Sequence, residues 1–502
     1  MSATQKLLVA NRGEIAVRII RACREVGISP VAVYSDADRR SLHVRLADHA
    51  IRVGPPAAKD SYLRVERILE AAAKTGATLI HPGFGFLSEN AAFARSVQAA
   101  GLTWVGPSPD SIDAMGSKTE SRRRMVAAGV PVVPGMTTPA SGPEEIAAFG
   151  REHGFPLLLK ASAGGGGKGM RIVRAEEEVP AAFERTRSEA KSFFADDQIY
   201  CELFVEKPRH VEVQVLGDTH GRLIALGERE CSLQRRHQKV LEECPSPAVS
   251  PELRKKMQDV AVAAARAVDY VSAGTVEFLL AADGRFFFLE MNTRIQVEHP
   301  VTERVYGVDL VAEMIRIALG QQMTVPVDVE PRGHAIECRI YAEDPSRNFA
   351  PSPGKIVRLR WPGGPGIRID EGVEQGDVVP LDYDPMLAKL IAWGKDRAEA
   401  VARMKAALAE TRVEGIETSV PFFLELLADP DVSTGNFSTQ FLDTWKYSGA
   451  RPAATVDELE DFALVAAILD ARARSARAAN LADGRSEPSA WRTAPSSFGR
   501  RS

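Results

Sequence analysis

Cysteine is scarce in this 502-residue chain: Cys23, Cys201, Cys231, Cys244 and Cys338 are scattered, odd in number and form no CxxC pair. That excludes a disulfide-framed secreted domain and offers no zinc-type spacing. Excess charge is also missing. With 63 basic and 67 acidic residues the formal net charge is -4, too little to draw the chain to nucleic acid or anionic lipid. No nucleic-acid or membrane partner is therefore expected. Neither a signal-peptide pattern nor a long uncharged apolar run occurs, so the sequence reads as a reduced, cytoplasmic protein. Two familiar phosphate-binding patterns are absent as well. The turn NRGE at 11–14 has no GxGxxG, and Lys168 in the glycine run is followed by glycine, not the Ser or Thr of a Walker A loop.

What is present is long enough for roughly three domains. The first hundred residues alternate strand and helix patterns: KLLVA, then Ile15, Ile19, Ala22, Cys23 and Val26 at helical spacing, then VAVYS, and further helix and strand patterns to LTWVG at 102–106. Repeated βα units imply a doubly wound parallel sheet. Asp36 and Asp38, after the second strand, read as solvated turn residues. From Ser117 the pattern changes to antiparallel strands and hairpins, and from Arg332 to about Phe441 an α+β closing domain is expected. Thr455 and Glu458 form a capping-box signature before one Ala-rich helix, and the Ser, Pro, Gly and Arg content of the last twenty residues predicts disorder.

Five stretches could carry chemistry. In AGGGGKG, bare backbone amides could approach phosphate oxygens, forming a flap that closes over a nucleotide with Lys160 reaching in from the preceding strand. In TVEFLLAADGRFFFLEMN, a two-residue Asp283-Gly284 turn places Ala282 against Arg285 and, counting outward, Glu277 against Glu290. Facing carboxylates destabilise a ladder unless a hard cation lies between them, and Asn292 adds an amide oxygen of the type such a cation takes. The third stretch is EMNTRIQVEHP. Glu290, Asn292, Arg294, Gln296 and Glu298 fall on alternate residues and would share one face of an extended chain. In that row Arg294 suits charge developing on a phosphoryl group, and Glu298 suits a general base. The fourth, SLQRRHQKV, gathers Gln234, Arg235, Arg236, His237 and Lys239, either for a small anion or as a solvated basic face. In RHVEVQV, His210, Glu212 and Gln214 share a strand face, where a histidine is most often a hydrogen-bonded core residue.

These pieces, in this order, resemble the ATP-grasp superfamily and specifically biotin carboxylase. VANRGEIAVRIIRA, HPGFGFLSEN, LKASAGGGGKGMRIV, PRHVEVQV, ERECSLQRRHQKV, EMNTRIQVEHPVTE and GHAIECRIYAEDP look like successive family signatures between residue 6 and about 445. The resemblance implies an α/β and α+β multidomain chain. A Rossmann-like domain would occupy 1–115, an ATP-grasp domain 116–330 with a flexible glycine-rich lid at about 132–204, and a C-terminal domain 331–447, before a helix and disordered tail at 448–502. It implies ATP phosphates at Lys118, Lys160, Gly165 and Gly166, with adenine and ribose at Glu202, the Val205 backbone, His210, Gln234 and His237. Glu277, Glu290 and Asn292 would hold two Mg²⁺ or Mn²⁺ ions. Bicarbonate would meet Lys239, Arg294, Gln296 and the Val297 backbone, with Glu298 as its base, and Arg339 would face the biotin oxyanion.

Some positions depart from the family pattern. Phe84 stands where a tyrosine near biotin is usual, Leu203 replaces a common Lys, Lys168 a common Arg and Ala163 a common Gly. No AMKM-type biotinylation motif occurs. The expected partners are therefore a separate biotin carboxyl carrier protein and a carboxyltransferase subunit, with a homodimer by analogy and an acyl-CoA or keto acid as final acceptor.

Overall fold

The computed structural model describes residues 5–136, 138–161, 170–194, 197–449, 463–472 and 474–475, with the side chains of 118–119, 161 and 192–194 outside the description. The flap glycines 164–167, the capping-box residues 455 and 458 and the last twenty residues lie outside it. Two compact units result, 1–448 and 449–502. In the second, residues 463–472 are helical and expose Leu464, Val465, Ile468 and Leu469. No helix among the described residues is long and apolar enough to cross a membrane.

In the first unit, β1 (Lys6–Val9), β2 (Ser29–Ser35), β3 (His49–Gly54), β4 (Leu79–His81) and β5 (Thr103–Trp104) form a wholly parallel sheet in the order β3-β2-β1-β4-β5. The order reverses between β1 and β4, where doubly wound sheets open a crevice at the strand ends. Asn11 closes that point, donating from Nδ2 to the carbonyls of Pro82 and Phe84, both at 2.7 Å. Gly83, at φ +65, fits beneath; a Cβ there would stand 2.9 Å from Asn11 Nδ2. The reading of Asp38 as a solvated residue is corrected here. Asp38 is buried, accepts from Arg12 at 2.7 and 2.9 Å and from Tyr62 at 2.5 Å, because a short 3-10 turn folds it back under β2. Burial opposes its charge, yet Arg12 holds its carboxyl down at about 2. Asp36 is the exposed one, paired with Arg52.

Three further strands, β6 (Leu157–Ala161), β7 (Met170–Val173) and β8 (Ile199–Leu203), make an antiparallel sheet in the order β7-β6-β8. Its core of Leu157, Leu159, Val173 and Cys201 packs on Ile146 and Phe183 from two helices. Isolated bridges join its surroundings to the rest: Val132 with Phe288, and Gly135 with Glu202.

The largest sheet has eight strands. β9 (Arg209–Gly217), β10 (Leu223–Arg235), β11 (Gln238–Cys244), β12 (Ser272–Leu280), β13 (Phe286–Asn292) and β14 (His334–Tyr341) run in the order β13-β12-β9-β10-β11-β14, followed by Met386–Gly394 and Ile367–Glu371. The expected closing region thus supplies strands to the same sheet as the centre of the chain, because β14 pairs directly with β11.

The β12–β13 hairpin reaches the expected pairing by another route. Ala281 N donates to Arg285 O at 2.8 Å and Gly284 N to Ala281 O at 3.0 Å, so the loop has three residues, not two, with Gly284 left-handed at φ +84. Leu280 then faces Phe286, one residue off the predicted register. A bulge restores it: Phe278 faces Phe288, and Glu277 faces Glu290. Leu289, the additional residue, is 44 % exposed.

Two fully buried histidines belong to the first sheet and its cover: His81 ends β4, and His43 lies on the short helix Leu42–Leu46 with its ring 3.3 Å from the Val33 carbonyl of β2. Burial lowers His43 to about 4 and His81 to about 3, so both stay neutral in the native state while the unfolded chain binds protons below about pH 6.5. Their contribution to stability is complete above that pH and falls with acidity by about 1.4 kcal/mol per pH unit for each, until the native groups titrate. The urea midpoint should decline steadily from pH 7 to pH 5, and His43→Gln should make the decline shallower; an unchanged slope in the variant would refute this.

Candidate functional site

The β9, β11, β12 and β14 strands bring alternate polar residues to one side of the large sheet. Lys239, on β11, is the hub. Its ammonium donates to Glu212 at 2.6 Å, Glu298 at 2.7 Å and Glu277 at 2.9 Å. Burial disfavours that charge, but the three carboxylates outweigh it and raise the lysine well above its usual range. Glu277 Oε1 also accepts from Gln296 at 2.8 Å and Asn292 at 2.9 Å. Its Oε2 lies 3.0 Å from His210 Nε2, and Gln234 donates to His210 Nδ1 at 3.0 Å, which leaves the ring proton on the nitrogen facing Glu277.

Beneath this layer lies Arg229, fully buried. It makes five hydrogen bonds: to Glu212 at 2.5 Å, Gln214 and Gln296 at 2.8 Å, Thr302 at 2.9 Å and Thr275 at 3.0 Å. A guanidinium only donates, so the Gln296 oxygen is fixed on Arg229 and its amide turns to Glu277. Glu298 immediately precedes the helix His299–Tyr306 without a side-chain capping bond, and its carboxylate instead accepts from Lys239 and, at 3.2 Å, from Arg339. Burial would raise its carboxyl, but Lys239, Arg339 and Arg229 hold it well below the ordinary range. A carboxylate held so low accepts a proton poorly until a substrate draws one of those cations away.

The row 290–298 is not one extended strand. β13 ends at Asn292, and a bend and a turn carry the chain into the helix, because Glu298 starts a new hydrogen-bonded element instead of continuing the ladder. The row still converges in part. Arg294 donates to Asn292 Oδ1 at 2.8 Å and to Glu89 at 2.9 Å, and Gln296 and Glu298 join through Glu277 and Lys239. The Val297 carbonyl is held from behind by Lys389 at 2.9 Å. Glu290 is exposed on β13, and its carboxyl is raised by desolvation beside the sheet and by the charge of Glu277 opposite.

Other expected residues lie apart from this cluster. Lys160 and Glu202 form an ion pair within the three-stranded sheet, and Val205 follows β8, half-buried. His237 and Arg236, both at positive φ, form the exposed two-residue turn between β10 and β11. The basic stretch is therefore dispersed, neither one anion patch nor one solvated face: Lys239 turns inward, while Arg235 pairs with Glu343 at 2.5 Å over the Phe349 ring. Phe84 packs against the core. The side chain of Lys118, and Gly165 and Gly166, lie outside the described residues.

The donor types suit a hard divalent cation. Glu277 and Glu290 face each other, and Asn292 offers an amide oxygen that here accepts from Arg294 and would have to be released. Among the described residues, His210, Glu212 and Glu277 also present ligand atoms within 4.8 Å of one another.

Three family models match the chain: biotin carboxylase, N-terminal domain, at 3–112; carbamoyl-phosphate synthase L chain, ATP binding domain, at 117–325; and biotin carboxylase C-terminal domain at 337–444. Biotin carboxylase 1 of Bacillus subtilis is 53% identical over 448 residues, 89% of this chain and 100% of the relative. The chain belongs to the biotin carboxylase family. It is 51% identical to a pyruvate carboxylase subunit of Methanothermobacter thermautotrophicus, over 88% of this chain and 90% of that one. Among solved structures, a Campylobacter jejuni biotin carboxylase complex superimposes with a TM-score of 0.81 at 41% identity, covering 88% of this chain and 99% of the other. The biotin carboxylase domain dimer of Hydrogenobacter thermophilus 2-oxoglutarate carboxylase, in complex with MgADP, ADP and bicarbonate, gives 0.79 at 46%, covering 88% and 98%. As an ATP-dependent ligase of this family, the chain carries the N-terminal parallel sheet, the ATP-grasp region and the C-terminal region.

Several residues of this biotin carboxylase site escape sequence reasoning. Glu212 has a visible signal, alternating with His210 and Gln214. Lys389, an isolated cation inside LAKLIAW, has one too, since a charge in a buried apolar run needs a partner. Arg229 and Glu89 have none, because their partners lie on other elements. Arg229→Lys should cost about 3–5 kcal/mol, since a lysine leaves part of this buried acceptor set unpaired; urea unfolding at pH 7 measures it, and a loss below about 1 kcal/mol would contradict the network's role.

Proposed function

We propose that this biotin carboxylase uses ATP and bicarbonate to carboxylate biotin borne by a separate carrier protein, as the first half-reaction of an acetyl-CoA or other acyl-CoA carboxylase. The observation that carries this reading is the base Glu298 locked between Lys239 and Arg339, one cation for each of two successive substrates. Lys118, Lys160, Gly165 and Gly166 hold the ATP phosphates, and Glu202, Val205, His210, Gln234 and His237 the adenine and ribose. Glu277, Glu290 and Asn292 would hold Mg²⁺ or Mn²⁺, which when bound neutralises phosphate charge.

Bicarbonate enters against Lys239, Arg294, Gln296 and Val297. By taking up the Lys239 ammonium it removes a cation from Glu298, whose basicity rises as the proton must be accepted. The bicarbonate oxygen bonds to the γ-phosphorus, the bond to ADP breaks, and Arg294 stabilises the charge. Carboxyphosphate then releases CO₂ and phosphate. The released phosphate takes the N–H proton of the biotin ureido group, and the freed nitrogen bonds to CO₂ while Arg339 stabilises the ureido oxyanion.

The proposed divisions are 1–115, 116–330 with its lid at about 132–204, 331–447 and the 448–502 tail. We place the enzyme in the cytoplasm as a homodimer, serving a biotin carboxyl carrier protein and a carboxyltransferase. A second reading, the equivalent subunit of a two-subunit pyruvate carboxylase, is favoured by the similarity to the Methanothermobacter protein at nearly equal identity. Affinity purification from the source cell, identifying the co-purifying biotinylated protein and its transferase, separates the two.

Glu298→Gln should retain ATP binding but lose bicarbonate-dependent ADP release by about 10²- to 10⁴-fold; turnover at the original rate would remove Glu298 as the base. Phe84→Tyr restores the family's usual hydroxyl and should lower the KM for free biotin, with an unaltered KM showing that the hydroxyl contributes nothing here.

A further inference from the structure

Behind Arg339 lies a second pair of facing acids. The β11–β14 ladder sets Glu242 directly opposite Glu337. Both are fully buried, and none of their four carboxylate oxygens has a hydrogen-bond partner. Glu242 Oε1 approaches Arg339 Nη2 to 2.5 Å without the alignment of a hydrogen bond, and the same nitrogen lies 3.2 Å from Glu298 Oε2. One guanidinium nitrogen thus stands between two carboxylates, the base on one side and the buried pair on the other.

The charged surroundings are Arg339 on β14, Lys239 on β11, Glu298 at the helix start and Lys389 on the strand Met386–Gly394. His299 begins that helix, its ring held neutral by burial. The cations are already engaged. Lys239 serves three other carboxylates, and Lys389 serves Glu14 at 3.1 Å, Asp370 at 3.7 Å and the Val297 carbonyl. Two adjacent buried carboxylates with one cation left to share do not both ionise without a large penalty.

We propose that Glu337 keeps a proton at neutral pH, directed at Glu242, and that the remaining charge on Glu242 positions Arg339 for biotin. Desolvation favours the neutral forms, raising Glu242 to about 7 and Glu337 well above its usual range. The assignment rests on the reading that Arg339 faces the biotin oxyanion. When Glu298 takes the bicarbonate proton it loses its charge and its pull on Arg339. Glu242 then holds the guanidinium in place, with its outward N–H groups free for the ureido oxygen. Glu242 and Glu337 are positioning residues, acting through Arg339.

The test has a spectroscopic and a kinetic arm, both on the full chain. Infrared spectra of protein carrying ¹³C-labelled glutamate should show a protonated-carboxyl band at pH 7 that Glu337→Gln removes. In Glu242→Gln, Arg339 is left to Glu298 alone. Carboxylation of free biotin should fall about tenfold to a hundredfold, as for loss of one charge-assisted contact, and further than in Glu337→Gln. Biotin-independent, bicarbonate-dependent ATP cleavage should fall less, with the KM for ATP within about twofold. No protonated band, a band that survives Glu337→Gln, or equal loss of both activities in Glu242→Gln overturns the proposal. If Glu242→Gln does not fold, the band and its loss in Glu337→Gln decide. Absence of any bicarbonate-dependent ATP cleavage by the unsubstituted chain would instead refute the proposed function, leaving the infrared result intact.

Discussion

One ammonium group organises this site. Lys239 reaches from β11 to carboxylates on β9, on β12 and at the start of the helix His299–Tyr306. Three buried acids gathered in one place would repel and desolvate each other at a cost no small domain could absorb. With the lysine among them they become mutually supporting, each fixing the lysine for the others. Glu298, Glu277 and Glu212 are therefore held by one shared contact.

That arrangement is also a resting state. Nearly every side chain assigned to a substrate is occupied by another side chain: Arg294 by Glu89 and Asn292, Lys160 by Glu202, Arg339 by Glu298 and Glu242. In the proposed reaction substrates enter by exchange, replacing one charged partner with another and not meeting bare charges. In the proposed reaction that exchange alters the groups left behind, and a carboxylate as acidic as Glu298 becomes a proton acceptor once bicarbonate is present. Arg229 lies outside the exchange. With its donors committed to five acceptors, it is the fixed floor on which Gln296 and Glu212 are oriented.

Much of this is legible in the residue order. Strand patterns locate the parallel sheet and the hairpins, since apolar periodicity reports burial directly. The opposition of Glu277 and Glu290 follows from counting outward, although through a two-residue turn that is in fact a three-residue loop followed by a bulge. The alternating row from Glu290 reads as one strand, and its later members meet the cluster by way of a turn instead. Asp38 looks like a solvated turn residue because its partners Arg12 and Tyr62 lie 26 and 24 residues away in sequence. Arg229 and the exposed Glu89 share that difficulty, since the partners of each lie on distant elements and only tertiary structure brings them together.

The hairpin between the two facing acids holds two supernumerary residues, one in its loop and one at Leu289. Losing either would leave the ladder on both sides intact and Glu277 still across from Glu290. Related chains can therefore differ in length here without disturbing the opposed acids. A search pattern written as a fixed count of intervening positions would pass over such relatives; the invariant to look for is geometric opposition on neighbouring strands.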